Sequence, residues 1–218
     1  ITNLNLTEGN VVEFNAGSST AISGIVTSDN PILMAHRTSN DRDAYPVPPV
    51  ATELWGIRSN NVTLGALQDN TSITVYASNG ATGSYNLDAG DRVLAVVGSS
   101  GSEGAGNALH IVADKPIAAI QGADSDGVEA TGFWPAEFFA TSYGLPVNTQ
   151  YVAVTCFDSG TTVTLNDGGS VVSQTCSANG NAPGKAFFGS TADGTNIGAG
   201  ATIESDNPIY VYYEESSD

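Results

Sequence analysis

Three stretches decide the reading of the fold: Val26-Thr27-Ser28-Asp29-Asn30-Pro31-Ile32, Ile111-Val112-Ala113-Asp114-Lys115-Pro116-Ile117 and Ile203-Glu204-Ser205-Asp206-Asn207-Pro208-Ile209. Each runs from a β-branched residue through a spacer to Asp, then Asn or Lys, Pro and Ile. Their prolines recur at intervals of 85 and 92 residues. A polar residue before Pro favours turn initiation, and Pro fixes φ at the turn. Each stretch therefore predicts a strand, a tight turn and a second strand. The second strands are Leu33-Met34-Ala35-His36, Ala118-Ala119-Ile120-Gln121 and Tyr210-Val211-Tyr212-Tyr213.

Working outward, other features repeat in the same order. An aromatic-Gly-apolar step occurs at Trp55-Gly56-Ile57 and Tyr143-Gly144-Leu145, and Ile73-Thr74-Val75 matches Val163-Thr164-Leu165. An Ala-Gly turn precedes the last strands at Ala89-Gly90 and Ala199-Gly200, and Asn15-Ala16-Gly17 reads as the same turn in a truncated first copy. A period near 90 residues is too long for a solenoid and fits a duplicated β-domain. The local signals agree. Short β-branched and aromatic runs such as Tyr151-Val152-Ala153-Val154-Thr155 alternate with Gly, Asn, Asp and Ser clusters. Thr161 to Leu165, the turn Asn166-Asp167-Gly168-Gly169, and Ser170 to Ser173 read as a hairpin. The one helical candidate, Pro135 to Ala140, is too short for more than a turn or two. The expected fold is all-β, with two related antiparallel β-sandwich-like units in tandem. Residues 1–125 form the first unit, with the amino-terminal strands, and residues 126–218 the second.

Composition excludes several classes of function. The chain has 218 residues, 23 acidic and 6 basic, for a net charge of −17. Six scattered bases, Arg37, Arg42, Arg58, Arg92, Lys115 and Lys185, make no patch, so nucleic acid and anionic membrane surfaces are poor partners. No apolar run reaches the ~20 residues of a membrane span, so no membrane insertion is expected. A hydrophobic content of 40% is that of a folded protein. The start at Ile1, with no Met and no signal peptide, reads as a processed or excised form.

Candidate sites are few. Cys156 and Cys176, the two cysteines, flank one hairpin meander and are expected to form a disulfide, which implies an oxidising setting. Two inert thiols are the alternative. His36 and His110 lack any GxSxG or HExxH context and read as structural. Asn40-Asp41-Arg42-Asp43 and Asp124-Ser125-Asp126-Gly127-Val128-Glu129 follow the repeated turn in the two copies. Asp124, Asp126 and Glu129 are a weak calcium candidate without the EF-hand pattern, and a polar loop with no ion is the favoured reading. No other cofactor and no catalytic residue is expected. Three sequons, at Asn5, Asn61 and Asn70, match chance for this composition. Tyr45-Pro46-Val47-Pro48-Pro49 and Phe133-Trp134-Pro135-Ala136-Glu137-Phe138-Phe139 lie in the connections between units. They read as a plug over the sheet ends, or as an apolar contact for a neighbouring subunit built on Phe133, Trp134, Phe138 and Phe139.

These motifs carry a resemblance. Ala113-Asp114-Lys115-Pro116-Ile117, Asp124-Ser125-Asp126-Gly127, Phe133-Trp134-Pro135, Tyr143-Gly144-Leu145-Pro146, Gln150 to Val154 and Asp206 to Val211 together resemble the repeat-bearing structural proteins of marine bacteriophage virions, over most of residues 20–214. Each unit is more distantly similar to the amino-terminal module of IgG-Fc-binding proteins. The copies depart from one another where Arg58-Ser59-Asn60 stands against Pro146-Val147-Asn148 and where the first copy lacks cysteines. The resemblance implies surface-exposed β-modules that assemble or adhere without enzymatic activity. The expected function is that of a structural or adhesive protein of an extracellular assembly, on a virion surface, decoration or fibre. Its partners are copies of itself or other surface proteins. A bacterial surface adhesin with a glycan or protein receptor is the alternative, and a carbohydrate-active enzyme the remote one.

Overall fold

The structure is a computed structural model, and it describes residues 6–7, 10–12, 26–37, 44–58, 62–98, 106–121, 131–190 and 194–216. Among these residues the regular structure is all strand, apart from one 3-10 turn at Ala136–Phe138, where the short helical candidate lay. Two antiparallel sheets form two similar sandwich-like units in tandem.

The amino-terminal part contributes β1 (Ala35–Arg37) and β2 (Ala44–Pro46), paired in a sheet of their own. The first unit comprises β3 (Ala51–Ile57), β4 (Val62–Ala66), β5 (Thr71–Ala77), β6 (Thr82–Leu87), β7 (Arg92–Ala95) and β8 (Ala108–Gln121). A short strand β9 (Thr131–Gly132) follows and pairs with β8, so it belongs to the first sheet. The second unit comprises β10 (Ala140–Gly144), β11 (Thr149–Cys156), β12 (Thr161–Asp167), β13 (Ser170–Cys176), β14 (Gly184–Gly189) and β15 (Thr202–Glu215).

The Asp-x-Pro-Ile motif is not a tight turn between two strands. It lies inside one 14-residue strand in each unit, β8 and β15. Pairing along these strands switches partner at the motif. Before Pro116, β8 pairs with β5 on one edge, as in Val75 opposite Ile111, and with β3 on the other, as in Leu54 opposite Ile111. From Ile117 onward the first edge is taken by β4, and the second by β3 at Ile117 and by β9 from Ile120. Partner β3 skips the motif, stepping from Glu53 opposite Val112 to Ala51 opposite Ile117. In β15 the same changeover runs from β12 to β11, and β10 skips from Ser142 opposite Glu204 to Ala140 opposite Ile209. A proline cannot donate to a ladder, so pairing has to break there. The Asp side chain fills the gap. Asp114 Oδ1 accepts the Ser72 N–H at 2.8 Å, and Asp206 Oδ1 accepts the Thr162 N–H at 2.9 Å. Each bent strand thus serves both layers of its sandwich, and residues from both halves share one core: Leu109, Ile111, Ile117 and Ala119 in the first unit, Ile203, Ile209 and the half-buried Val211 in the second.

The registers also correct the repeat alignment. Ile73, Thr74 and Val75 do occupy the places of Val163, Thr164 and Leu165. The aromatic-Gly step is out of phase by one: Leu54 and Tyr143 are equivalent, both opposite the β-branched Ile111 or Ile203. The Ala-Gly turns are not equivalent either, since Gly90 lies between β6 and β7 while Gly200 immediately precedes β15. The hairpin reading holds: β12 and β13 pair from Asp167 opposite Ser170, leaving Gly168 and Gly169 to turn at φ 57° and 96°. Such positive φ is open to glycine at little cost. The amino-terminal copy reaches the first sheet through β2 and Pro48, which lie against β9. Residues 26–34 carry no strand pairing and are largely exposed, with Ile32 46% exposed where Ile117 and Ile209 are fully buried.

Cys156 and Cys176 are bonded, with Cα atoms 6.1 Å apart. They do more than staple a meander. Cys156 lies on β11, beside the second half of β15, and Cys176 on β13, in the layer of β12, so the bond ties the two layers together. In the first unit Ala66 and Leu87 stand at these positions, the former opposite Ile117 and the latter opposite Thr71.

Two outcomes follow for stability. Ile117→Ala and Ile209→Ala should each cost about 2–5 kcal/mol by urea unfolding, the range for emptying a buried aliphatic site. Ile32→Ala, at the same motif position, should stay within about 0.5 kcal/mol. Reducing the disulfide should cost about 3 kcal/mol, as for a closed loop of this length. Hydrogen exchange should place that loss in β11–β15 and leave β4–β8 unchanged.

Candidate functional site

Strand alternation identifies the contact between the units. Along β11, Val152, Val154 and Cys156 point into the second core, which leaves Tyr151, Ala153 and Thr155 on the other face. These three are buried as well, so β11 is covered on both sides. Tyr151 is covered by Phe187 and Tyr212 of its own sheet, and Ala153 and Thr155 by the first unit. Leu54, Leu109 and Ile111 fill its own core, and the alternating Trp55, Ile57, Ala108 and His110 face outward. Ile57, Ala108, Ala153 and Tyr210 form a third apolar cluster, flanked by Trp134, Phe139, Phe187 and Tyr212.

Polar groups lock the contact. The His110 ring stacks on Trp55, 3.6 Å between centroids and 5° from parallel. Its Nδ1 lies 2.9 Å from the Asn181 carbonyl of the second unit and its Nε2 lies 2.8 Å from Glu53 Oε1. The ring thus bridges an acceptor of each unit, with the two ring nitrogens facing opposite ways. Thr155 Oγ1 donates to the Gly56 carbonyl at 3.2 Å, and Lys185 Nζ donates to the Gly106 carbonyl. The Tyr210 hydroxyl donates to the Gly132 carbonyl at 3.4 Å and pairs with Thr131 Oγ1 at 3.2 Å. Loss of hydration in this contact raises Tyr210 to about 12 and lowers Lys185 to about 8.

The aromatic segment is spent largely inside the chain. Phe133 is fully buried in the first core, against Gly56, where an added Cβ would stand 2.6 Å from the ring. That corrects its assignment to an assembly surface. The Trp134 backbone pairs with Trp55 through two 2.9 Å hydrogen bonds, and its ring joins the inter-unit cluster. Phe139 packs on Phe157 and Tyr210. Phe138 alone of the four keeps a large exposed surface, at 54%. The calcium candidate Asp124, Asp126 and Glu129 lies outside the described residues, as do Asn40-Asp41-Arg42-Asp43, Asn5 and Asn61. Asn70 is exposed. No group of three or more His, Cys, Asp or Glu side chains converges among the described residues.

A second feature had no sequence signal strong enough to find it. Each sandwich leaves one seam where its two layers do not hydrogen-bond strand to strand, between β6 and β7 and between β13 and β14. Side chains at equivalent positions reach across. The Val96 N–H donates to the Tyr85 hydroxyl at 3.2 Å, and Gln174 takes the Phe187 N–H at 3.1 Å and donates to the Phe187 carbonyl at 2.5 Å. Tyr85 and Gln174 are opposite Ile73 and Val163, which the duplication makes equivalent. Beside the second seam a groove of about 250 Å³ is lined by Asp167, Ser170, Gln174, Phe187, Asn196 and Ile197. The seam strand β13 reads Ser170-Val171-Val172-Ser173-Gln174-Thr175-Cys176, without a charge, and both valines are exposed. Edge strands are usually guarded by Lys or Pro.

The inter-unit contact should respond to alkali with two slopes of opposite sign. Lys185 gives up its proton near pH 8 in the folded chain and near 10.5 in the unfolded one, so stability should rise with pH between those values. Tyr210 keeps its proton to about pH 12 when folded and to 10.0 when unfolded, so its contribution is complete below pH 10 and lost between 10 and 12. Denaturant titrations from pH 7 to 12 should show the first limb flattened by Lys185→Met and the second by Tyr210→Phe.

No protein-family model, curated protein or solved structure matches the chain, so the reading of its function rests on the geometry above.

Proposed function

We propose that the chain is a non-enzymatic structural protein of an extracellular assembly, a surface, decoration or fibre component of a virion, built from copies of itself. The observation that carries this reading is the unguarded edge of β13, with exposed Val171 and Val172 and no charged residue along seven positions. Such an edge is a template for strand addition by another chain. The polar groups buried between the units agree with it. His110, Thr155, Lys185 and Tyr210 are each engaged with a carbonyl or carboxylate across or beside the contact, as fastening requires. The disulfide suits an oxidising, extracellular location. With net charge −17 the copies repel one another at low ionic strength, so assembly depends on apolar and backbone contacts and is favoured by salt.

A second reading, an adhesin module that binds a glycan or protein, is favoured by one observation. The groove at the β13–β14 seam combines Asp167, Ser170, Gln174 and Asn196 with the apolar Leu165, Phe188 and Ile197, a mixture suited to hydroxyl-rich ligands.

Light scattering across a salt series separates the two. The wild type should grow in mass as salt rises from ~0.01 to ~1 M, where the screening length shrinks from about 30 to 3 Å. Val171→Lys should suppress that growth even though it lowers the net negative charge. A wild type that stays monomeric throughout, or a variant that assembles equally well, overturns the assembly reading. Glycan binding that is abolished by the groove-filling Ser170→Trp would then support the adhesin.

A further inference from the structure

The duplication shows what kind of group fits the groove beside β13. Gly83 and Val172 hold one position, opposite Val75 and Leu165. Val97 and Ser190 hold another, each two residues past the pair Ala95 and Phe188, which stand opposite Val62 and Val152. In the first unit Val97 is buried in the core and lies over Gly83 so closely that an added Cβ would collide with it. Beside it the Tyr85 hydroxyl accepts the Val96 N–H. An aliphatic side chain and a long polar one thus close the first seam. The second unit has other residues at both places. Ser190 stands for Val97, and Gln174 stands for Tyr85 but grips Phe187, the place of Leu94, two residues short of the place of Val96. The second seam stays open there, over a floor of Leu165, Phe188 and Ile197 that belongs to the core.

Size and surroundings narrow the occupant. The groove of about 250 Å³ exceeds the ~150 Å³ that holds a benzene and falls below the ~300–1,000 Å³ of a drug-sized ligand site. It has room for one or two aliphatic side chains, the kind of group that Val97 supplies in the first unit. One wall is β13, a strand without charge. A chain entering beside it adds main-chain hydrogen bonds to the edge while its side chain fills the floor. The polar rim of Asp167, Ser170 and Asn196 suits the main chain of such a strand.

Every copy carries a matching donor. Residues 26–33 are all exposed, Leu33 at 90%. The pentapeptide Ser28-Asp29-Asn30-Pro31-Ile32 is identical to Ser205-Asp206-Asn207-Pro208-Ile209, which lies within β15, so the segment is a strand when other strands flank it. Asn30-Pro31-Ile32-Leu33-Met34 has no charge, and neither has β13. In a chain of net charge −17, two such stretches are where copies meet with least repulsion. We propose that the groove is the acceptor for residues 30–34 of a second copy of this chain, which lie along β13 and seat Leu33 on the floor of Leu165, Phe188 and Ile197. The proposal rests on the assembly reading and names the segment that meets the edge. Donor and acceptor are different surfaces, so the contact is head-to-tail and builds rings or filaments.

Two variants and their mixture, followed by light scattering in the salt that makes the wild type grow, test this. Leu33→Asp removes the donor, and Ser170→Trp fills the acceptor. Both positions are exposed, so each variant should keep the urea midpoint of the wild type. Each alone should stay monomeric. An equimolar mixture should form 1:1 dimers and nothing larger, because one working arm and one open groove remain. Phe138→Asp, the same charge change at another exposed apolar residue, should assemble as the wild type does. Leu33→Asp that assembles equally well, or a mixture that stays monomeric, overturns the proposal and leaves the assembly reading standing. A wild type that never assembles overturns both, and glycan that binds the monomer but not Ser170→Trp assigns the groove to the adhesin instead.

Discussion

Everything in each unit depends on one strand that cannot continue its ladder straight through. Pro116 and Pro208 remove a donor in the middle of β8 and β15, and the Asp two residues earlier takes up the amide of a neighbouring strand instead. The strand bends, its first half pairs with β5 or β12, and its second half with β4 or β11. One strand thus connects both layers. Because alternate residues on both halves face inward, Ile111 and Ile117, or Ile203 and Ile209, meet in one core rather than in two.

Given that bend, the rest of each sandwich has one open problem, the seam where the layers do not pair. The two units solve it with different side chains at one position, a tyrosine hydroxyl in the first and a carboxamide in the second. They also brace it differently. The second unit adds a covalent tie between layers, at the place where the first has Ala66 and Leu87. Equivalent geometry with unequal bracing is what a duplication produces once each copy adapts to its own neighbours. The second unit carries the disulfide, the groove and the exposed valines of β13; the first carries the histidine that reaches across to the other unit.

The pairing of the units converts two outer sheet faces into a third core. Lys185 and Tyr210 lose much of their hydration there, and the cost of burying them is offset by hydrogen bonds to carbonyls and by aromatic packing. A contact made of such groups has a fixed geometry, because a shifted register would leave the imidazole, ammonium and hydroxyl groups without acceptors. That rigidity suits a protein whose proposed work is to hold a surface in place. It also explains why the aromatic segment after β9 has little left to offer another molecule: Phe133, Trp134 and Phe139 complete the chain's own contacts, and Phe138 remains.

The sequence by itself determined the strand-rich class, the duplication and the pairing of Val163-Thr164-Leu165 with Ile73-Thr74-Val75, because these depend on local propensity and on side chains two residues apart sharing a face. It marked the Asp-x-Pro-Ile motif, the β12–β13 hairpin and the cysteine pair as features of note. The apolar run Tyr151 to Val154 also carries the sign that β11 is buried on both faces. Tertiary structure alone decided the remainder. A turn and a bend share the same Asp-Pro signature, and only the partner strands on either side made it a bend. The one-residue phase of Leu54 against Tyr143 was set by how β3 and β10 register on their bent strands, which composition does not encode. Whether Phe133 faced a neighbour or its own core was settled by Gly56, which leaves room for the ring on a strand 77 residues away. The isoleucine that ends the same pentapeptide is fully buried at Ile209 and 46% exposed at Ile32, because burial belongs to the strands that surround a sequence and not to the sequence itself.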